Sequence, residues 1–449
     1  MSNPNAVDAD LVIHASWIIP ATEDNLVHRD ACLAVADGKI LGICSSHAAD
    51  GHFRAGKTLH LDGQVLIPGL INTHGHAAMT LFRGIADDLP LQTWLEQHIW
   101  PLEAQFVSED FVYQGTQLAI AEMIRSGTTC FADMYFFPEA SARAATEAGM
   151  RVQLAAPVID FPNPWSANAD EGIFKTTQLH DAWRNSELVS TAFGPHAPYS
   201  VADGPLKRIA VLAEELDLPI HMHVHETALE VAQAVRDLGQ RPIKRLYDLG
   251  LLSPRLICVH ATQLNEQDIE LLKESGAHVA HCPESNLKLA SGFCPVDTLL
   301  TRGINVCLGT DGAASNNDLD MFSEMRSAAL LAKAVSGDAS ALPAYRALRM
   351  ATLDGARALG LDRMTGSLEP GKCADIVAVR LDELNTVPVH NPVSQLVYST
   401  QASQVSHVWV NGKQLLNDGE LTSINRRNLL EIARHWQDTL GTRYDTAKQ

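Results

Sequence analysis

Leu66-Ile67-Pro68-Gly69-Leu70-Ile71-Asn72-Thr73-His74-Gly75-His76 is an apolar run that closes on two histidines one residue apart. On a β-strand, residues i and i+2 share a face, so His74 and His76 point the same way and are placed to hold one metal ion at a strand end. Such a pair does not complete a site. Catalytic zinc takes N and O ligands and keeps one position open, so further His or Asp residues are required at the ends of later strands.

Downstream, short apolar or β-branched runs alternate with stretches of helical spacing as far as about residue 360. The strands expected after the first lie at 128–134, 151–157, 189–196, 219–225, 256–260, 278–282 and 304–311. This pattern predicts the α/β class, as a closed (β/α)₈ TIM-like barrel whose active site gathers at the C-terminal ends of its strands. Ser108-Glu109-Asp110 starts one helix that ends near Ser126-Gly127, and Pro138-Glu139 starts another that ends at Gly149. Residues 94–105 form the longest addition on the rim, a candidate lid or specificity element. Both chain ends read as strands and hairpins: Asp37-Gly38 between apolar runs near the start, and Ala374-Asp375-Ile376-Val377 and Val408-Trp409-Val410-Asn411-Gly412 near the end. The expected organisation is a β-sandwich assembled from residues 1–65 and 366–449, with a terminal helix, and the barrel inserted as residues 66–365.

Composition narrows the function. With 46% hydrophobic residues, 19% charged residues and no apolar run near the ~18 residues of a membrane span, the chain reads as globular with no membrane partner. Residues 1–5 lack the basic start and apolar core of a signal peptide. Thirty-four basic against 53 acidic side chains give a net charge of −19, which repels phosphate backbones and argues against long nucleic acid as a partner. Eight scattered cysteines, with no Cys-x-x-Cys, read as free thiols in a reducing cytoplasm.

The run His221-Met222-His223-Val224-His225-Glu226 places three histidines on one strand face ahead of a carboxylate, and spacing alone does not choose among them. Gly309-Thr310-Asp311-Gly312 ends the eighth strand with a carboxylate between glycines that allow close backbone approach. His74, His76, one fifth-strand histidine and Asp311 make a three-His, one-carboxylate set suited to mononuclear zinc or iron.

Taken in order, the motif through His74-Gly75-His76, then His223-Val224-His225-Glu226, His260, His281-Cys282-Pro283-Glu284-Ser285-Asn286 and Gly309-Thr310-Asp311-Gly312-Ala313-Ala314-Ser315-Asn316-Asn317 resembles the amidohydrolase superfamily. Within it, the chain is similar to the 5′-methylthioadenosine/S-adenosylhomocysteine deaminases over nearly its whole length. The resemblance implies that His74, His76, His223 and Asp311 bind the metal, that Glu226 shuttles protons and that His260 stands beside the activated water. It implies substrate contacts from Trp94, Glu103, His196, Glu226 and Asp311, with Glu103 toward the ribose hydroxyls. His281 stays outside the catalytic set. One divalent ion per chain is expected, zinc first and iron(II) second, and a homo-oligomer stays open.

The reaction implied is hydrolytic deamination of an adenine nucleoside at C6. A metal lowers the pKa of bound water toward about 7. Glu226 then enters protonated and donates to N1, Asp311 accepts the water proton, and ammonia leaves an inosine-type product. Among substrates, the family's carboxylate-binding arginine falls at Ala156, and only Lys175 is near the second such position. Lysine does not reproduce a bidentate guanidinium, so the expected order is 5′-methylthioadenosine, adenosine, then S-adenosylhomocysteine. Arg151, at the start of its strand, is expected to lie away from the rim. Rival readings are deamination of guanine, cytosine or a triazine, and a nucleoside-binding protein without turnover. No expected strand carries the lysine that bridges two metals in cyclic-amide hydrolases, and the His-x-Glu, Pro-Cys-x-x-Cys pattern of the other zinc deaminase fold is absent.

Overall fold

The computed structural model describes the backbone of residues 6–447 and the side chains of residues 6–441; the opening residues 1–5 lie outside them. Four strands come first: β1 (Val7–Ile18), β2 (His28–Ala36), β3 (Lys39–Ser45) and β4 (Phe53–Pro68). Eight more form one parallel sheet in chain order: β5 (Leu70–Asn72), β6 (Thr128–Asp133), β7 (Arg151–Val158), β8 (Val189–Pro195), β9 (Ile220–Val224), β10 (Leu256–His260), β11 (His278–His281) and β12 (Val306–Leu308). The chain then returns to the first sheet with β13 (Ile376–Arg380), β14 (Val405–Val410), β15 (Lys413–Asn417) and β16 (Glu420–Leu421), and ends in the helix Arg426–Ala447.

The parallel sheet curls into a barrel. Its last strand meets its first through Thr73 N–H donating to Leu308 O at 3.0 Å and Asp311 N–H donating to His74 O at 3.0 Å. Period-two alternation sets the layers. In β9, Ile220, Met222 and Val224 pack outward against helix residues such as Ile243 and Leu246, which leaves His221 and His223 on the inner face. Ile71, Cys130, Ala132, Ile257, Val259 and Cys307 form a separate inner cluster. The helix Glu109–Arg125 starts where Ser108 Oγ accepts from Phe111 N–H, and Pro138–Ala148 ends on Gly149 with φ of 81°.

The terminal strands form one mixed sheet, ordered β16-β15-β14-β13-β4-β1-β2-β3, instead of two separately hydrogen-bonded layers. Ile13, Leu33, Ile376 and Trp409 share a cluster on one face, and Val12, Cys32 and Ala34 share another on the opposite face. Asp37 and Gly38 both take positive φ, 49° and 71°, as a two-residue hairpin between twisted strands requires. The boundary expected after residue 65 falls inside β4: Val65 and Leu66 pair with Trp17 and Ile18, and Ile67 and Pro68 pair with Val377 and Ile376. The opening apolar run is therefore shared, its first part closing the mixed sheet and its second part starting the barrel beyond Gly69. All eight cysteines are free, and among the described residues no helix is long and apolar enough to cross a membrane.

Arg151 joins the two bodies beneath the barrel, far from the rim as expected. Its Nε lies 3.2 Å from Asp375 Oδ2 and its Nη2 3.3 Å from Asp375 Oδ1, with both residues 2% exposed. Removing one partner of such a pair leaves a buried charge without compensation. Asp375→Ala is expected to lower the unfolding free energy by about 3–5 kcal/mol in a denaturant titration. A change below about 1 kcal/mol, the size typical of exposed pairs, would contradict a structural role.

Candidate active site and metal centre

A cavity of about 690 Å³ opens at the C-terminal rim of the barrel. Every site residue expected from sequence borders it except His74, which lies fully buried beneath. The two N-terminal histidines reach this point differently from the expected strand geometry. β5 stops at Asn72, because the Asn72 amide turns across the barrel seam: its Nδ2 donates to Thr310 Oγ1 at 2.7 Å and its Oδ1 accepts from Thr310 N–H at 3.0 Å. His74 and His76 follow in the loop, with ring planes 86° apart, so separate anchors and not the strand pleat bring them together.

Those anchors orient each ring. His76 Nδ1 donates to Met134 O at 2.6 Å, and His223 Nδ1 donates to His196 O at 2.7 Å, which leaves both Nε2 lone pairs facing the cavity. His74 Nδ1 lies 2.8 Å from His221 Nε2. Asp311 Oδ2 accepts from the hydroxyls of Ser285 at 2.7 Å and Ser315 at 2.8 Å. Its Oδ1 lies 3.3 Å from His74 Nε2 and 3.2 Å from His76 Nε2. The ligand atoms of His74, His76 and Asp311 lie within 4.8 Å of one another, as do those of His74, His223 and His260. A metal fits here on a second ground: His74 Nε2 is buried and makes no hydrogen bond. Donors of this kind, imidazole nitrogen and carboxylate oxygen, suit zinc or iron(II).

The three fifth-strand histidines have three different surroundings. His223 faces the cavity. His221 sits behind His74 and supports its ring. His225 is spoken for on both nitrogens, since its Nδ1 lies 3.2 Å from Gln263 O and its Nε2 accepts from Ile243 N–H at 3.1 Å. Its backbone, at φ of 56°, has already turned away from the strand.

Glu226 is 8% exposed, and burial pushes its carboxyl above the usual carboxylate range despite the opposing pull of His260. His260 Nε2 lies 3.8 Å from Glu226 Oε2, while its Nδ1 donates to Asn286 Oδ1 at 2.9 Å. Across the cavity, burial pushes Glu103 up to about 7 and His196 down to about 4. His196 also holds Ser200 Oγ at 3.0 Å from its Nδ1.

The wall formed by residues 91–107 depends on a feature the sequence does not announce. Leu91, Leu95, Ile99, Glu103 and Val107 stand at every fourth position and all line the cavity. On an unbroken α-helix a row of that spacing would wind about 120° around the axis between residues 91 and 103. A π-helical turn at Leu95–Ile99 takes up the excess and keeps Trp94, Trp100 and Glu103 on the cavity side.

Ser285, Asn286 and Ser315 lie inside motifs already noted, yet spacing gave no hint that they orient Asp311 and His260. Tyr135, Tyr199 and Phe161 also line the cavity, from loops without a readable pattern. One expectation is corrected. Ala156 does not face the cavity, because alternation along β7 turns it outward into the helix-side core with Leu154 and Val158, while Pro157 forms the wall. The Lys175 amine is likewise engaged, donating to Trp165 O and pairing with Glu171 at 2.8 Å.

The sequence profile of the Amidohydrolase family matches residues 65–415. A 5-methylthioadenosine/S-adenosylhomocysteine deaminase of Teredinibacter turnerae is 51% identical over 443 residues, covering 99% of this chain and 100% of that protein. A 5′-deoxyadenosine deaminase of Methanothermobacter thermautotrophicus is 46% identical over 371 residues, covering 83% of this chain and 86% of that one. An adenosine deaminase from Xanthomonas campestris, solved with bound zinc, superposes with a TM-score of 0.96 at 49% identity, covering 97% of this chain and 100% of its own.

The distinct surroundings of the three histidines predict distinct metal contents by elemental analysis. His223→Ala is expected to purify nearly metal-free, and His221→Ala to weaken metal affinity by about 10- to 100-fold through His74. His225→Ala should keep its metal and lose thermal stability. Metal loss in His225→Ala alongside full retention in His223→Ala would reverse the assignment.

Proposed function

We propose an activity from one premise: the chain belongs to the amidohydrolase family. It acts as a metal-dependent deaminase of adenine nucleosides, replacing the C6 amino group by oxygen and releasing ammonia. The observation that carries this reading is the convergence at one cavity of the His74, His76 and His223 imidazoles, an aspartate held by two serine hydroxyls, and Glu226, whose carboxyl burial pushes above the usual carboxylate range. The names of the related deaminases support it.

His74, His76, His223 and Asp311 would hold one divalent ion per chain, zinc first and iron(II) second, which supplies the Lewis acidity that brings the pKa of a water toward about 7. Glu226 donates its proton to N1 of the ring as C6 is attacked, so that negative charge does not build on the nitrogen. Asp311 takes the water proton through the oxygen not engaged by Ser285 and Ser315 and passes it to the amino group, which leaves as ammonia while the proton of the C6 hydroxyl returns to Glu226. His260, fixed by Asn286, presents Nε2 beside the attacking oxygen. Trp94 walls the base, and Glu103 with His196 holds the sugar hydroxyls.

Apolar lining of the cavity, including Trp100, Ile159, Phe161, Pro164 and Leu289, suits an uncharged thioether at the 5′ position. Among the described residues that line it, none is Lys or Arg, which gives no cation for the carboxylate of S-adenosylhomocysteine. 5′-Methylthioadenosine is therefore ranked ahead of adenosine, and both ahead of S-adenosylhomocysteine. The protein is placed in the cytoplasm, as its free thiols support, and a homo-oligomer is compatible with this site.

Ammonia release by metal-analysed protein tests the assignment, with the three nucleosides in parallel and guanine and cytosine as controls. The expected order of kcat/KM is methylthioadenosine, adenosine, S-adenosylhomocysteine; reaction of a free base alone would overturn the substrate class. Glu226→Gln should retain its metal and lose at least about 10²-fold in kcat, and near-normal turnover would remove Glu226 from the proton transfer.

A further inference from the structure

Glu230 is 7% exposed, does not line the cavity and stands in the first turn of the helix Ala228–Leu238. The N-cap of that helix is Thr227, whose side chain accepts from Glu230 N–H at 3.2 Å. A glutamate at this third helical position ordinarily reaches back to the backbone N–H of the N-cap itself. Glu230 reaches further: Glu226 N–H donates to its Oε2 at 2.7 Å, and His225 N–H donates to its Oε1 at 3.0 Å. The two donors satisfied belong to the loop that carries Glu226, outside the helix.

The carbonyl side of the same dipeptide is gripped from the loop that follows β10. Thr262 Oγ1 donates to Glu226 O at 2.6 Å, and Thr262 N–H donates to His225 O at 3.0 Å. Between these grips His225 holds φ at 56°, a conformation that residues with a side chain seldom adopt. By contrast, the Glu226 carboxyl has weak attachments of its own, with Ser291 Oγ at 3.5 Å and His260 Nε2 at 3.8 Å. Its place in the cavity is set by its backbone.

We propose that Glu230 is a positioning residue for the proton transfer: its carboxylate fixes the His225-Glu226 backbone, and through it the aim of the Glu226 carboxyl. This rests on the role given to Glu226 above. Gln at position 230 matches Glu in size but offers one acceptor oxygen, and its amide group opposes the second N–H.

The test compares wild type, Glu230→Gln, Glu226→Gln and the double variant as metal-loaded full chains with 5′-methylthioadenosine. If wild type and Glu226→Gln release ammonia equally, it is the proton-donor role of Glu226 that fails. Given a wild type that Glu226→Gln impairs, Glu230→Gln is expected to lose about 10- to 100-fold in kcat, the size of effect a misplaced catalytic group produces. The loss should fall on kcat more than on KM, and metal content should not change, because Glu230 does not line the cavity. In the Glu226→Gln background the same change should cost nothing further, since nothing remains to be aimed. Unchanged kcat in Glu230→Gln, an equal further loss in the double variant, or loss of metal along with activity would each overturn the proposal. Should Glu230→Gln fold poorly, Glu230→Asp serves instead: it keeps a carboxylate in the first helical turn but is one methylene too short to reach both N–H groups, and the same kcat loss is expected.

Discussion

The seam where the barrel closes is the constraint on which the site depends. β5 and β12 are three residues each, and the bonds that join their ends involve the chemistry-bearing residues themselves, with Asp311 N–H donating to His74 O. A side chain at position 309 would collide with the His74 backbone, its Cβ falling 2.7 Å from His74 N, so glycine is required for the seam to close at this distance. Closing the barrel therefore brings His74, just beyond its first strand, against Asp311, just beyond its last.

Closure sets positions, and hydrogen bonds then set directions. An imidazole offers one lone pair once its other nitrogen has donated, so carbonyls of Met134 and His196 decide which way His76 and His223 face. Two serine hydroxyls do the same for Asp311. The backbone is held in the left-handed region at His225, His260, Ala261 and Asp311, where non-glycine residues each cost about 1–3 kcal/mol. Such conformations persist where the surrounding structure over-determines them, and here each residue faces the cavity or adjoins one that does. The scaffold pays in advance for the geometry of the site.

The parts legible in the sequence are those governed by local periodicity or by residue type. Alternating apolar runs located the eight barrel strands, and Ser108, Pro138 and Gly149 marked helix ends because capping is a local matter. Motif order singled out His74, His76, His223, Glu226, His260 and Asp311, and the structure brings them together, with His74 buried beneath the cavity that the other five line. What was not legible depends on contacts remote in sequence. His74 and His76 were expected on a strand, and only the cross-barrel bonds of Asn72 to Thr310 show why the strand stops short. Three histidines at equal spacing were indistinguishable until their partners at Gln263, Ile243 and His74 were placed. Ala156 was expected to face the substrate, whereas the face it occupies depends on one residue of register along β7. The π turn at Leu95–Ile99 leaves no signature in composition because it is a response to packing against the rim.

The central claim is that scaffold hydrogen bonds preset three imidazoles and one carboxylate for a single ion. X-ray absorption spectroscopy at the zinc edge of stoichiometrically loaded protein tests it directly. The expected spectrum contains three imidazole nitrogens with oxygen completing the sphere, at about 2.0–2.2 Å, and no sulfur. A thiolate at about 2.3 Å, fewer than three imidazoles, or metal–metal scattering at about 3.5–4 Å would contradict the mononuclear site described.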